Sequence, residues 1–169
     1  HLLLQQIDLT EDQFVRFFEG ASLERVSIHR KSRVWQFNLK LTKLLPIEIY
    51  KTFTQRVNEA FAAIATICLE IVCEDTVADA ESYGQYWPIV IEEISGMSPP
   101  IRELLTNQQP MMTGGKMVLL CTNDIELQTM KGKYGNLISD VYTSFGFSRP
   151  FVEFTLTEED SSAEEARMA

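Results

Sequence analysis

Residues 23–73 switch hydrophobic period twice, and this constrains the fold of the first half more than any other feature. Over residues 23–30 the side chains divide into Leu23, Arg25, Ser27 and His29 on one side and Glu24, Val26, Ile28 and Arg30 on the other. Over residues 33–41, Trp35, Phe37, Leu39 and Leu41 oppose Val34, Gln36, Asn38 and Lys40. Successive side chains leave a strand on opposite faces, so each stretch predicts a strand, and the short polar break at Lys31-Ser32 predicts a hairpin. Pro46 then stands where a first helical residue belongs. After it Ile49, Phe53, Val57, Ala60, Phe61 and Ile64 recur at helical spacing. Ile67, Leu69 and Ile71 alternate against Cys68, Glu70 and Val72, which predicts another strand. Upstream, Leu2, Leu3, Leu4 and Ile7 fit a helical cluster, and Thr10 with Gln13 forms a capping box. A helix through Phe14, Phe17 and Phe18 is expected to stop at Gly20. The first half thus predicts a helix followed by ββαβ.

An acidic break over residues 74–80 is the expected boundary. Beyond it Tyr83, Trp87, Val90, Ile91 and Ile94 return to helical spacing, with Pro88 expected to kink or split the helix. Ser98-Pro99-Pro100 ends that element and opens a short helix through Ile101, Leu104 and Leu105. Met111-Met112-Thr113, a Gly114-Gly115 turn and residues 116–121 form a hairpin. A further helix starts at Asp124, with Ile125, Met130, Tyr134, Leu137, Ile138, Val141 and Phe145 on its core face and Gly132 and Gly135 as expected breaks. Gly146 closes it, and residues 151–156 form a last strand. The fold class is α+β: two small α-ββαβ units in one fragment, the second KH-like in part. The first occupies residues 1–75, the second residues 76–157, and residues 158–169 begin an acidic linker. Shared origin and convergence explain the repeated order equally well.

The residue types needed for catalysis are absent in workable patterns. Cys68, Cys73 and Cys121 form no CxxC pair, and His1 and His29 are the only histidines, so no zinc site of ordinary spacing can be assembled. Three reduced thiols, no signal-peptide pattern and no run of about 20 apolar residues fit a cytoplasmic protein. The chain opens without Met, which suggests a piece of something longer. Gly114-Gly115-Lys116 fails the phosphate-loop spacing, and Met117 replaces the hydroxyl residue that loop requires. His29 has no carboxylate near it in sequence, and Asp79, Glu81, Glu92, Glu93 and Glu103 form no metal motif. No catalytic residue, cofactor-binding residue or metal ligand is expected.

Charge is more informative. The chain carries −9 overall, yet residues 25–56 hold eight basic residues against Glu48 alone, a local +7 that leaves −16 for the remainder. Arg25, His29, Arg30, Lys31, Arg33, Lys40, Lys43, Lys51 and Arg56 are therefore the candidate partner-binding residues. Contact with an acidic protein surface fits them. So does single-stranded nucleic acid, with Trp35, Phe37, Tyr50 and Phe53 as a stacking surface, although aromatics at such spacing are more often core. KH domains clamp single strands through a GxxG loop. Gly132-Lys133-Tyr134-Gly135, beside Lys131, has that pattern and is the alternative nucleic-acid site, in an otherwise acidic half.

Several segments, taken in order, carry a resemblance. Leu2-Leu3-Leu4-Gln5-Gln6-Ile7, Ser32-Arg33-Val34-Trp35-Gln36-Phe37 and Leu44-Leu45-Pro46 resemble the N-terminal part of bacterial PolC-type DNA polymerase III. So do Phe61-Ala62-Ala63-Ile64-Ala65, Tyr86-Trp87, Ser98-Pro99-Pro100-Ile101 and Gly146-Phe147. Each is unspecific alone; their order and spacing along nearly the whole chain are specific. Pro88 departs from the family pattern, which has an ordinary helix former there. The resemblance implies a parent polymerase with 3′–5′ exonuclease activity whose catalytic residues all lie beyond Ala169. It also implies two N-terminal modules, one similar to the polymerase-binding domain of the clamp-loader tau subunit and one KH-like. Their implied role is contact with replisome proteins, with no membrane association.

Overall fold

The computed structural model describes residues 15–75 and 79–157. The chain divides into two compact units, His1–Ala78 with Thr143–Ser148, and Asp79–Tyr142 with Arg149–Ala169. The apolar cluster and capping box expected near the start lie outside the described residues.

In the first unit a 3₁₀ turn at Arg16–Phe18 leads into β1 (Ser22–His29), β2 (Val34–Lys43), helix α1 (Ile47–Phe61) and β3 (Thr66–Asp75). The sheet order is β1-β2-β3, antiparallel between β1 and β2 and parallel between β2 and β3. A parallel return needs a crossover, and α1 supplies it. Pro46 is the N-cap, one residue before the helix, and its carbonyl accepts the first helical bond from the Tyr50 N–H at 3.0 Å. At the far end Ile64, expected on the apolar face of α1, falls in the following turn and is 55% exposed. The Asn58 carboxamide ties helix to sheet: its nitrogen donates to the Thr54 carbonyl, and its oxygen accepts from the Ile67 N–H, both at 3.0 Å.

Phe37, Leu39, Leu41, Ile67, Ile71 and Cys73 line the inner face of this sheet and are buried with Phe18, Leu45, Phe53 and Val57. Phe18 lies 4.8 Å from Phe53, centroid to centroid, and Phe37 meets Phe61 edge-on at 5.7 Å. Gly146 adopts φ +101°, and a Cβ there would stand 2.6 Å from the Cys73 sulfur, so only glycine fits.

One detail of β1 departs from simple alternation. The register slips between Leu23 and Arg25, leaving Glu24 as an extra, bulged residue. Leu23 then pairs with Leu39, Val26 with Phe37 and Ile28 with Trp35. Directly paired residues share a face, so Leu23 joins Val26 and Ile28 on the inner face instead of opposing them.

The second unit contains α2 (Ala80–Met97), α3 (Ile101–Thr106), β4 (Met111–Thr113), β5 (Lys116–Cys121), α4 (Asp124–Ser144) and β6 (Phe151–Leu156). Its sheet, β4-β5-β6, repeats the antiparallel-then-parallel order. Gly114 and Gly115, at φ +56° and +80°, form the tight turn between β4 and β5; a hairpin of this kind needs positive φ at both central residues. Asn123 caps α4 by accepting from the Glu126 N–H at 2.9 Å, and Glu126 accepts in return from the Thr122 N–H at 2.9 Å.

Neither of the two expected breaks splits its helix. Pro88 lies inside one helix, α2, flanked by the buried Tyr86, Trp87, Val90 and Ile91. A proline in a helix interior costs about 3 kcal/mol, and burial of these large side chains, each worth about 1.5–3 kcal/mol, exceeds it. Gly132 and Gly135 likewise sit within the single helix α4. Each costs only about 1 kcal/mol there, against burial of Met130, Tyr134, Ile138, Val141 and Tyr142. Gly135 also lets the helix approach β6, because a Cβ at that position would lie 3.4 Å from the Phe154 ring. Ile125, placed on the core face by its spacing, is 80% exposed in the first turn of α4.

Candidate functional site

The structure sorts the nine basic candidates into distinct places. His29, Arg30, Lys31 and Arg33 gather at the β1–β2 turn, all exposed, with Arg33 in the left-handed region at φ 53°. Arg25 pairs with Asn38 and Lys40 with Ser22, so both lie on the outer face of the sheet. Lys43 ends β2, about 30 Å from the turn at roughly 3.3 Å per residue, and pairs in register with Asp75. Lys51 and Arg56 project from α1 on the inner side. The segment is continuous in sequence but does not form one patch.

Neighbouring acids divide these residues further. Lys40 Nζ lies 3.4 Å from Glu74 Oε1, and Lys51 Nζ lies 4.0 Å from Glu48 Oε1. Glu70 on β3 accepts from the Gln36 amide, adding a second carboxylate to the outer face. The parallel β2–β3 register delivers both Glu70 and Glu74 from outside the basic segment, and the Glu74 pair with Lys40 is a neutralisation that counting charge along the chain misses. Among the described residues no ion pair forms at Arg25, Arg30, Lys31, Arg33, Lys43 or Arg56. The turn is therefore the densest group of uncompensated cations.

The aromatic residues of this segment do not form a stacking platform. Phe37 and Phe53 are 3% and 1% exposed. Trp35 packs on Phe61 at 5.8 Å, and Tyr50 meets Phe145 edge-on at 5.2 Å. The GxxG element fares no better, since residues 132–135 are helical and offer no loop to clamp a backbone.

Of the three cysteines, Cys68 is exposed, while Cys73 and Cys121 are buried. Burial pushes the Cys73 thiol up to about 11. Cys121 is also raised, by burial and by the Glu126 carboxylate. Neither is poised as a nucleophile at neutral pH, because the thiolate is the reactive form. No group of three or more His, Cys, Asp or Glu residues among the described residues could hold a metal ion. Nor is any helix among them long and apolar enough to cross a membrane.

Sequence reasoning did not anticipate a groove of about 680 Å³ in the second unit, lined by Gly84, Trp87, Pro88, Ile91, Arg102 and Gln108 among others. Trp87 Nε1 donates to the Gln108 carbonyl at 2.8 Å, while Gln108 Oε1 is buried without a hydrogen-bond partner. The mid-helix proline was the available signal. No histidine or cysteine lines the groove.

The described residues thus form two small α+β units, each built on a three-stranded sheet, with a cationic hairpin turn in the first. The family described as "DNA polymerase III polC-type N-terminus I" matches residues 1–71, and "DNA polymerase III polC-type N-terminus II" matches residues 85–168. The chain belongs to this family, the N-terminal region of PolC-type DNA polymerase III. Among its relatives, the "DNA polymerase III PolC-type" of Bacillus subtilis (strain 168) is 38% identical over 146 residues, 86% of this chain and 10% of that protein. The protein of the same name from Latilactobacillus sakei subsp. sakei (strain 23K) is 30% identical over 146 residues, again 86% of this chain and 10% of the relative. That of Listeria welshimeri serovar 6b is 26% identical over 165 residues, covering 96% of this chain and 11% of the relative. The chain thus spans about a tenth of the length of the curated relatives it matches.

Proposed function

We propose that this chain is a non-catalytic docking region of a cytoplasmic replicative polymerase, joining it to another replisome protein through the β1–β2 turn. The observation that carries this reading is electrostatic. Arg30, Lys31 and Arg33 stay exposed and form no ion pair among the described residues, while Lys40 and Lys51 on the same unit are matched by carboxylates. Unmatched charge of one sign steers encounter with a surface of the other sign and fixes register, and contributes less to final affinity. The clamp-loader tau subunit is the partner to try first, because the region resembles a module that makes polymerase contacts there. Polymerase and 3′–5′ exonuclease chemistry belongs to the remaining nine-tenths or so of the parent.

Retention of purified replisome subunits on the immobilised chain tests this, with tau expected to bind and to elute as salt rises. Failure to retain any subunit overturns the docking role. A parallel titration with labelled single-stranded oligonucleotide is expected to show no salt-sensitive binding. A steep salt slope in that titration would move the function to nucleic acid.

A further inference from the structure

Leu23, Val26 and Ile28 lie on the inner face of the first sheet, yet they remain 44%, 41% and 52% exposed. Two of their direct partners, Leu39 and Phe37, are 6% and 3% exposed. Element widths explain the contrast. A helix with its side chains is about 10–12 Å across, and neighbouring strands lie about 4.8 Å apart. One helix therefore covers two strands, and the buried residues of β2 and β3 show which two α1 covers. Among the described residues the width of β1 stays open beside it.

This open row is about 17 Å long from Leu23 to Ile28 at roughly 3.4 Å per residue. A helix of about three turns has that length. Just past Ile28 the chain turns through Arg30, Lys31 and Arg33, so one end of the apolar row is capped by positive charge. We propose that the row and the turn together seat an acidic amphipathic helix of about three turns from a partner protein, a seat that presupposes the docking role proposed above. Its apolar stripe packs on Leu23, Val26 and Ile28, and carboxylates at one end meet Arg30, Lys31 and Arg33. A nucleic-acid strand would satisfy the cations but leave the apolar row in water. An added β-strand would meet the bulge at Glu24, which interrupts the ladder it needs.

Trp35 pairs with Ile28 and serves as a local reporter. The full 169-residue chain carrying Trp87→Phe, so that Trp35 is the only tryptophan, is titrated with a synthetic helical peptide. The peptide carries leucines at i, i+3 and i+7 and glutamates in one terminal turn. A saturable change in Trp35 emission is expected, weakened at least about tenfold by Arg30→Glu with Lys31→Glu and, separately, by Val26→Ser or Ile28→Ser. No saturable change, or equal binding by all variants, overturns the proposal. A photo-crosslinking side chain at position 26 identifies the occupant directly. Capture of the peptide supports the seat, whereas capture of residues 1–14 of the same chain, or of a second copy, overturns it. If tau binds the variants as tightly as the parent chain, the seat falls and the docking role stands. If the peptide binds but no replisome subunit does, the docking role falls, and the seat for a partner helix falls with it.

Discussion

Both units run hairpin, helix, parallel strand, yet their hairpins differ in length and turn chemistry. In the first the strands span Ser22–His29 and Val34–Lys43 and meet through cationic residues; in the second they span Met111–Thr113 and Lys116–Cys121 and meet through two glycines. Each unit also ties its helix to the chain at its last strand by a side chain, Asn58 to the Ile67 N–H within β3 in the first and Ser139 to the carbonyl of Pro150, just before β6, in the second. What differs is where the polar groups go. The second unit turns them inward, with the Tyr142 hydroxyl donating to the Tyr83 carbonyl at 2.8 Å and the Ser98 and Tyr134 hydroxyls 2.8 Å apart. The first unit turns its charge outward on a long hairpin. Shared topology therefore leaves one unit a presenting surface and the other mostly a scaffold.

That contrast can be broken most forcefully at the first core. Phe53→Ala removes a ring that is 1% exposed and is expected to cost about 3–5 kcal/mol. Trp35 and Trp87 lie one in each unit, so single-tryptophan variants report each unit separately. Trp35 should lose its folded emission at lower denaturant while Trp87 keeps its midpoint. Coincident shifts would show one cooperative transition and erase the distinction. In the second unit, Tyr142→Phe should cost about 1–3 kcal/mol by deleting a buried hydrogen bond, read as a lower midpoint for Trp87; an unchanged midpoint would remove the scaffold reading. Smaller still, Gly132→Ala should stabilise α4 by about 0.5–1 kcal/mol, since nothing lies within 4 Å of the added methyl. Destabilisation there would restore the glycine as a loop residue.

A separate effect concerns pH. The folded state holds the Cys73 proton up to about 11, whereas the unfolded chain releases it near the ordinary value of 9.0. Raised pKa on an acid means that stability falls as pH climbs through the unfolded value and levels off above the folded one. Denaturant midpoints at about pH 8 and about pH 10 should therefore differ more for the parent chain than for Cys73→Ala. Equal differences would remove Cys73 as the cause.

Trp35, Phe37, Leu39 and Leu41 were legible because polar residues separate them cleanly, and the ββαβ order follows from that alternation and the helical spacing after Pro46. The side assignment of Leu23 was not, because a backbone bulge has no residue signature and shifts every later side chain by one face. Pro88, Gly132 and Gly135 were overrated because their local costs are visible in sequence while the burial that outweighs them is tertiary. For the candidate site, the turn cations were legible as a cluster. Their separation from Lys43, Lys51 and Arg56 was not, and neither was the pairing of Lys40 with Glu74, since both depend on how the elements pack.

Pro88 also bears on how the second unit opens. A proline has no N–H to give, so the helical bond to the Gly84 carbonyl is missing from the middle of α2. Opening at one end of a helix spreads through that ladder, and a missing rung limits how far it spreads. Both sides of residue 88 are buried, so the amide protons near Tyr83 and Tyr86 and those of Val90, Ile91 and Ile94 should exchange with solvent through separate openings. One imino acid thus divides a single helix into two segments that open separately.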